Sequence, residues 1–409
     1  MSRYYAVRIS DPKTNEILVA NLYGKPGFSR VPNGPNVWTY CSLYAGGKPS
    51  TYASSNANAQ QITFDIHAGF LDTPIQNGLL QIDGVTLQEI SQGANLTGLN
   101  IAVYGGMAKG LPLANPNQIG RLCAGQILNM WGNWIGVDQY LAIVIQAGGS
   151  NSNANQTTGN IATINTPAIP NTNRKPGYLV FTWEKGQSLV DALTHCLQTY
   201  YPQYGISGSI SPNLVWTDGI VCMRPFAKLS QLAQFVREAS LNMIGGYAPD
   251  LTQYMGVRMS LQGNMIYLQD GTTPTKPKTI YVTDLVGQPT YNEPFQIQLT
   301  CVLRGDIKAG DYVTIPQGQL NIGQGAQVGY VSPPPLSAAN TAKSNIAFTG
   351  SYLVLDVQHY GTSRNPDWNA WVTTLDLLVT EPYDAKSAAT TLAAIAGPNK
   401  QAYNFYLPT

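Results

Sequence analysis

Charge is scarce in this sequence. Of 409 residues only 11% are Asp, Glu, Lys or Arg, where about 25% is usual. The 23 basic and 22 acidic residues leave a net charge of +1. There is thus no basic field to hold a nucleic-acid backbone and no acidic tail, and no basic run exceeds a pair such as Arg174–Lys175. Long apolar runs are missing too: no stretch approaches the roughly 18 residues of a membrane-spanning helix. The opening MSRYYAVRIS lacks the apolar core and cleavage site of a signal peptide. Cysteine is sparse and odd in number. Cys41, Cys123, Cys196, Cys222 and Cys301 are widely spaced among apolar residues without a CxxC. That argues against a disulfide framework or a zinc site and predicts reduced, buried thiols.

Chemistry-bearing motifs are absent as well. There is no GxxxxGK[ST], GxSxG or HExxH, and GQGAQVG (323–329) spaces its glycines wrongly for a dinucleotide fingerprint. His67, His195 and His359 each sit in a strand or helix pattern with no second ligand at metal spacing. His195 and Cys196 are neighbours on a helix, so they point about 100° apart and cannot pair as base and nucleophile. Asp356, Asp367 and Asp376 offer a carboxylate pair of the glycosidase kind, yet 22 acids supply such proximity by chance. No catalytic, cofactor-binding or metal position is assigned, no cofactor is expected, and the chain is read as a non-enzyme.

What is present is a mainly β pattern. Hydrophobic residues make up 44%, with 24 Tyr and many Asn, Gln, Ser and Thr. An apolar content sufficient for real cores, joined to little charge and many aromatics, fits a surface largely covered by neighbours. Ile62, Phe64 and Ile66 alternate with Thr63, Asp65 and His67, the period-2 signature of a sheet with one buried face. Val7–Ile9 and Ile17–Val19 read as a hairpin across Asp11–Asn15, and strand-like runs follow at 60–70, 78–85, 99–106 and 141–147.

The tract 149–176, rich in Asn, Ser and Thr, is read as a loop or linker. Beyond it the pattern changes. Ser188–Asp191 resembles a capping box ahead of Leu189, Leu193, Cys196, Leu197 and Tyr200 at helical spacing. A second helix follows over Leu229, Leu232, Val236 and Ala239, with Pro202 and Gly245–Gly246 as stops. Residues 257–270 read as a hairpin across Gln262–Asn264. From 280 to 380 the β pattern returns: Ile297, Leu299, Cys301 and Leu303 alternate with polar residues. A Gly- and Pro-rich insertion occupies 316–346, and 351–360 and 368–379 form a long hairpin. The tail carries a short helix over Ala385–Ala396 and then Tyr403, Phe405 and Tyr406.

The expected division is 1–148, a first tube-like β-barrel domain; 149–176, the linker; 177–279, an α+β insert; 280–380, a second tube-like β-barrel domain; and 381–409, a C-terminal tail. Trp131, Trp134, Trp368 and Trp371 are read as core or interface anchors rather than a sugar platform.

These residues reach a known family. Residues 283–316 resemble phage tail baseplate hub proteins of the late-control-D-like kind, in Gly287-Gln288-Pro289, Thr300-Cys301-Val302-Leu303 and the run Ile307–Val313. Residues 350–375 look like that family's hairpin, with Gly350, Tyr352, Val357, His359, Gly361, Trp371 and Thr373 at the matching positions. Residues 93–136 resemble its first tube-like domain. One departure stands out: where the family carries Asn-Pro after the cysteine-bearing strand, this chain has Arg304-Gly305.

The resemblance implies a contractile-tail hub. It would be a homotrimer whose paired tube-like barrels form a pseudo-sixfold ring between the hexameric tail tube protein and the trimeric central spike protein. Other baseplate proteins would be further neighbours, and DNA would pass through the lumen unbound during genome ejection. The chain would be a virion component assembled in the host cytoplasm. A distal tail or tube-terminating protein, or a tail-tip protein that binds or hydrolyses cell-wall glycans, are the alternatives.

Overall fold

A computed structural model describes residues 3–147, 178–316 and 350–380, apart from short breaks at 21–24, 51–54, 75, 111–113, 202–203, 212, 245–253, 255, 263–264, 272–275, 288 and 294–295. The expected linker, the 316–346 insertion beyond its first residue, the tail helix and aromatics, the Gly263–Asn264 turn and the stops at Pro202 and Gly245–Gly246 lie outside the described residues.

The first stretch is β-rich, as its alternation requires. It runs β1 (Arg3–Ser10), β2 (Ile17–Ala20), β3 (Phe28–Val31), β4 (Tyr40–Cys41), β5 (Gln61–Phe70), β6 (Gln76–Asp83), α1 (Leu87–Gln92), β7 (Asn100–Met107), β8 (Gly120–Ile135) and β9 (Asp138–Ala147). The β1–β2 hairpin forms in the expected place, with Ile9 opposite Leu18. In β5, Ile62, Phe64 and Ile66 are buried while Asp65 is exposed. Their inward face joins Leu80, Ile82, Leu141 and Ile143 in the first core. Each such side chain contributes roughly 1.5–3 kcal/mol of apolar burial. The short α1 is an element the sequence reading missed. Thr86 caps it by accepting from the Glu89 amide, and Glu89 in turn accepts from the Thr86 amide at 2.6 Å. That carboxylate is fully buried and also takes the Tyr40 hydroxyl at 3.0 Å.

The middle stretch holds β10 (Leu179–Trp183), α2 (Leu189–Tyr200), β11 (Gly205–Ser209), β12 (Cys222–Phe226), α3 (Leu229–Ile244), β13 (Arg258–Gln262) and β14 (Met265–Gln269). Both expected helices are present. Ser188 caps α2, its hydroxyl accepting from the Asp191 amide at 3.1 Å. Phe181, Trp183, Leu193, Leu197, Leu232 and Val236 share a separate core. The β13–β14 hairpin forms, and β11 adds to β14 in parallel.

The last stretch contains β15 (Lys278–Thr279), β16 (Thr290–Glu293), β17 (Gln296–Val302), β18 (Tyr312–Ile315), β19 (Gly350–Thr362) and β20 (Trp371–Thr380). The expected long hairpin is β19–β20. Ile297, Leu299, Cys301, Val313, Val354 and Leu375 form a third core.

Two closed barrels were expected; the described residues hold one open sheet instead. Its main path runs β16-β17-β20-β19-β5-β6-β9-β8-β7-β1-β2-β3. The two β-rich stretches meet where β19 pairs with β5, Gly361 opposite Phe64. No pairing among the described residues returns the sheet on itself, so its ends remain edges.

Candidate functional site: a polar sheet face and the seam that builds it

From β16 to β8 the path contains eight consecutive strands, and every neighbouring pair is antiparallel. One face of this surface carries the cores. The ladder registers fix what lies on the other. Gln298 sits opposite Asp376, Thr300 opposite Thr374, and Gln358 opposite both Thr374 and His67. Thr63 and Gln81 pair, as do Asp65 and Leu79, and Asn77 lies between His67 and Gln146. From β17 to β9 this face carries no Lys or Arg. The nearest on β8 is Arg121, which lies beyond the pairing with β9 and opposite Tyr104 of β7.

The face is cross-braced by side chains. Gln298 donates to Asp376 at 3.0 Å and Gln358 to Asp65 at 2.8 Å. The Thr300 and Thr374 hydroxyls lie 3.4 Å apart, and Thr63 donates to Thr362 at 3.4 Å. Such cross-strand pairs contribute roughly 0.2–1 kcal/mol each. Charge here is acidic and partly withheld. Burial pushes the Asp356 carboxyl up to about 6, against the pull of His67, whose Nδ1 lies 3.8 Å away.

A seam holds the two β-rich stretches in one sheet. Trp371 of β20 sits in the first core, edge-on to Phe64 with centroids 5.1 Å apart, and its indole N–H donates to Gly106 O at 3.0 Å. Gly361 lies under the Phe64 ring, where a Cβ would come within 2.3 Å of Cζ, so only glycine fits. Arg3 donates to the carbonyls of Thr362, Asn365 and Asp367, and Arg364 to those of Ala57 and Ala59. The Ser363 hydroxyl accepts from the Ile62 amide at 3.0 Å.

The Arg304-Gly305 turn belongs to the same seam. Gly305 N donates to Gln118 O at 3.0 Å, and its backbone presses so closely on Gly120 that a Cβ there would meet Gly305 O at 2.1 Å. Arg304, nearly buried, forks onto Asp306 at 3.0 and 2.8 Å and reaches Thr279 O at 2.8 Å and Asp284 at 3.4 Å. Burial opposes its charge, but the Asp306 and Asp284 carboxylates raise its pKa above the ordinary value.

The other residues singled out by sequence divide clearly. Cys123, Cys196 and Cys301 are buried, and burial pushes each thiol up to about 12. His195 is exposed beside buried Cys196. His359 is buried with Nδ1 2.9 Å from the Thr373 hydroxyl, and burial lowers its pKa to about 3. Asp356 and Asp376 face each other across the β19–β20 ladder, while Asp367 lies in the exposed turn and does not join them. Trp131, Trp134 and Trp368 are exposed, unlike Trp371. Trp131 and Trp134, three apart on one strand, point to opposite faces and form no common platform. Among the described residues no group of three or more His, Cys, Asp or Glu converges as a metal site. No helix among them is long and apolar enough to cross a membrane.

No protein-family model matches the chain, and no curated protein does. Solved structures similar to it are tail and type VI secretion proteins. One is an E. coli type VI secretion component described as structurally similar to the T4 bacteriophage tail proteins gp27 and gp5. It is 7% identical, with 80% of this chain and 74% of that chain covered and a TM-score of 0.41. A tail protein from Neisseria meningitidis MC58 is 11% identical, with 93% and 97% covered and a TM-score of 0.41. The 43 kDa tail protein of prophage MuSo2 from Shewanella oneidensis is 7% identical, with 79% and 98% covered and a TM-score of 0.40.

Proposed function

We propose that this chain is a structural baseplate hub of a phage tail, adapting the tail tube to the central spike, and that three copies close one ring around a DNA channel. The observation that carries the reading is the eight-strand antiparallel surface with one face turned away from the cores, laddered on one side only at β16 and, at its other end, over residues 128–135 of β8, since the first half of β8 pairs with β7. A single copy leaves those ends unpaired, which natural sheets avoid. Three copies at about 4.8 Å per strand give a circumference on the order of 115 Å, hence a backbone diameter of roughly 37 Å. That is wide enough for a nucleic-acid duplex to pass.

The face that would line this channel carries Gln, Asn, Thr and Asp among the exposed Leu79 and Tyr360, with no Lys or Arg from β17 to β9. Phosphates crossing it would find no cation to release counterions against, so the DNA would not stick. The cores and the insert then lie outside the ring, available to spike and baseplate neighbours. In this reading 1–148 and 280–380 are two tube-like units side by side in one sheet, 177–279 is the insert between them, and the barrel belongs to the trimer rather than to the chain. The function is symmetry adaptation without catalysis, within the virion.

Cryo-electron microscopy of the tail tip from purified virions tests it. Three copies on the axis between tube and spike, with β5, β6, β19 and β20 lining the lumen, are expected. Six copies, or a peripheral position, would overturn the reading and favour a distal-tail or host-binding protein.

A further inference from the structure

Two asparagines in this sequence are followed by glycine, Asn33 and Asn77. The pairing matters because a glycine nitrogen, with no Cβ beside it, can swing onto the preceding asparagine side chain. The two dipeptides are identical in sequence and opposite in setting. Asn77–Gly78 lies inside β6. Asn77 sits between His67 and Gln146, and Gly78 is buried between Ile66 and Ile145, so ladders hold both residues on either side. Freeing the Gly78 nitrogen means opening the middle of the sheet.

Asn33–Gly34 lies in the connection between β3 and β4, flanked by Pro32 and Pro35. Asn33 is exposed. Among the described residues neither its side chain nor the Gly34 amide makes a hydrogen bond. Only the Gly34 carbonyl is held, accepting from the Val37 amide at 3.3 Å and from Arg8 Nη2 at 3.0 Å. The turn is thus anchored at its oxygen while its nitrogen is uncommitted.

We infer that Asn33 is a site of spontaneous covalent modification, deamidating through a cyclic imide formed with Gly34. The Gly34 nitrogen attacks Asn33 Cγ and gives up its proton. The Cγ–Nδ2 bond breaks, and the amide leaves as ammonia with a proton gained through solvent. Water then opens the ring, returning a proton to the Gly34 nitrogen. Opening at Cγ gives aspartate; opening at the main-chain carbonyl gives isoaspartate. Water is the only co-reactant. Each event replaces a neutral amide by a carboxylate and takes the formal net charge from +1 to 0.

The new charge arises one residue from the carbonyl that Arg8 grips. That guanidinium lies 4.6 Å from the Trp38 ring centroid, and its buried Nε has no hydrogen-bond partner among the described residues. The product carboxylate therefore appears near a cation with a donor to spare. The isoaspartate form also adds a methylene to the backbone of a connection that Thr39 ties to β1, through Ile9 N at 2.8 Å and Val7 O at 2.8 Å.

The test incubates the full-length chain at mildly alkaline pH, folded and in urea. Mass spectrometry of the peptides holding Asn33 and Asn77 follows the loss of each amide, with fragmentation separating aspartate from isoaspartate. In the folded chain Asn33 should convert at least about tenfold faster than Asn77, and in urea the two rates should come together. Gly34→Ala should slow the conversion at Asn33. Its Cβ would meet only Val37 Cγ2, at 3.1 Å, and its φ lies outside the left-handed region. The folded-against-urea comparison stands without the variant if the variant fails to fold. A folded chain in which Asn33 survives as long as Asn77, or a rate that Gly34→Ala in a folded chain leaves untouched, overturns the assignment.

Discussion

Asp356 gives a quantitative handle on the polar face. Its carboxyl is nearly buried between β20 and β5, close to Asp376 and His67, and burial lifts its pKa from 3.8 to about 6. The folded chain thus binds a proton that the unfolded chain has released between those two values. Stability from this group is fully present below about pH 4 and is lost as pH rises through 6. Two pKa units correspond to about 3 kcal/mol, an upper figure because His67 is half-exposed and water reaches the pair.

Asp356→Asn keeps the acceptor for the Val357 amide, now 2.7 Å from Oδ1, and cannot ionise. The variant should be more stable than the native chain by about 1–3 kcal/mol at pH 7.5 and indistinguishable from it near pH 4. Urea unfolding at the two pH values, followed by tryptophan fluorescence, measures both. No gain at pH 7.5, or an equal gain at both, would refute the reasoning that burial of a charge governs this position.

Two further substitutions probe the seam. Arg304→Met removes a buried guanidinium and leaves the Asp284 and Asp306 carboxylates uncompensated, so a loss of about 3–5 kcal/mol is expected in denaturant unfolding. Gly120→Ala drives a methyl into the Gly305 carbonyl, so it should lower the melting temperature measurably. Gly136→Ala, in the open β8–β9 turn, serves as its control: no neighbour meets its Cβ, and only its φ of 62° is strained.

Much of the local structure was legible, and for a stated reason. β5, β6 and β17 alternate because one face of each meets a core, β9, β19 and β20 show instead as apolar runs, and both larger helices announce themselves by spacing. β8 was not read as a strand: bulges at Val103/Tyr104 and Ile127/Asn129 shift its register, and Gly and Asn interrupt its apolar sequence. The parallel strand β11, Gly-Ile-Ser-Gly-Ser, has no pattern of its own and is held by β14.

The seam was hidden more deeply, since nothing near β5 or β19 names its partner. Its traces were nonetheless in the hub-like motif. Gly361, His359, Trp371 and Thr373 are matching positions whose contacts now have physical causes. Gly361 makes room for Phe64, Trp371 bonds Gly106, and His359 bonds Thr373. The Arg304-Gly305 departure, which placed the turn in doubt, proved to be where the two β-rich stretches touch backbone to backbone. Closed barrels were expected from the resemblance, and alternation within single strands does not say whether the ends of a sheet meet.

The β19–β5 pairing also sets a timetable. Asp65 and its partner Gln358 are 293 positions apart, and a ribosome adding about 5–20 residues per second takes roughly 15–60 s to span them. For that interval β5 emerges laddered to β6 alone, with an edge seeking a strand on any chain nearby. On a polysome crowded with identical nascent chains the competing partner is a sibling's β5. The half-finished sheet is thus the species most in need of a chaperone, and co-translational yield, rather than the endurance of the finished sheet, would govern how much folded chain accumulates.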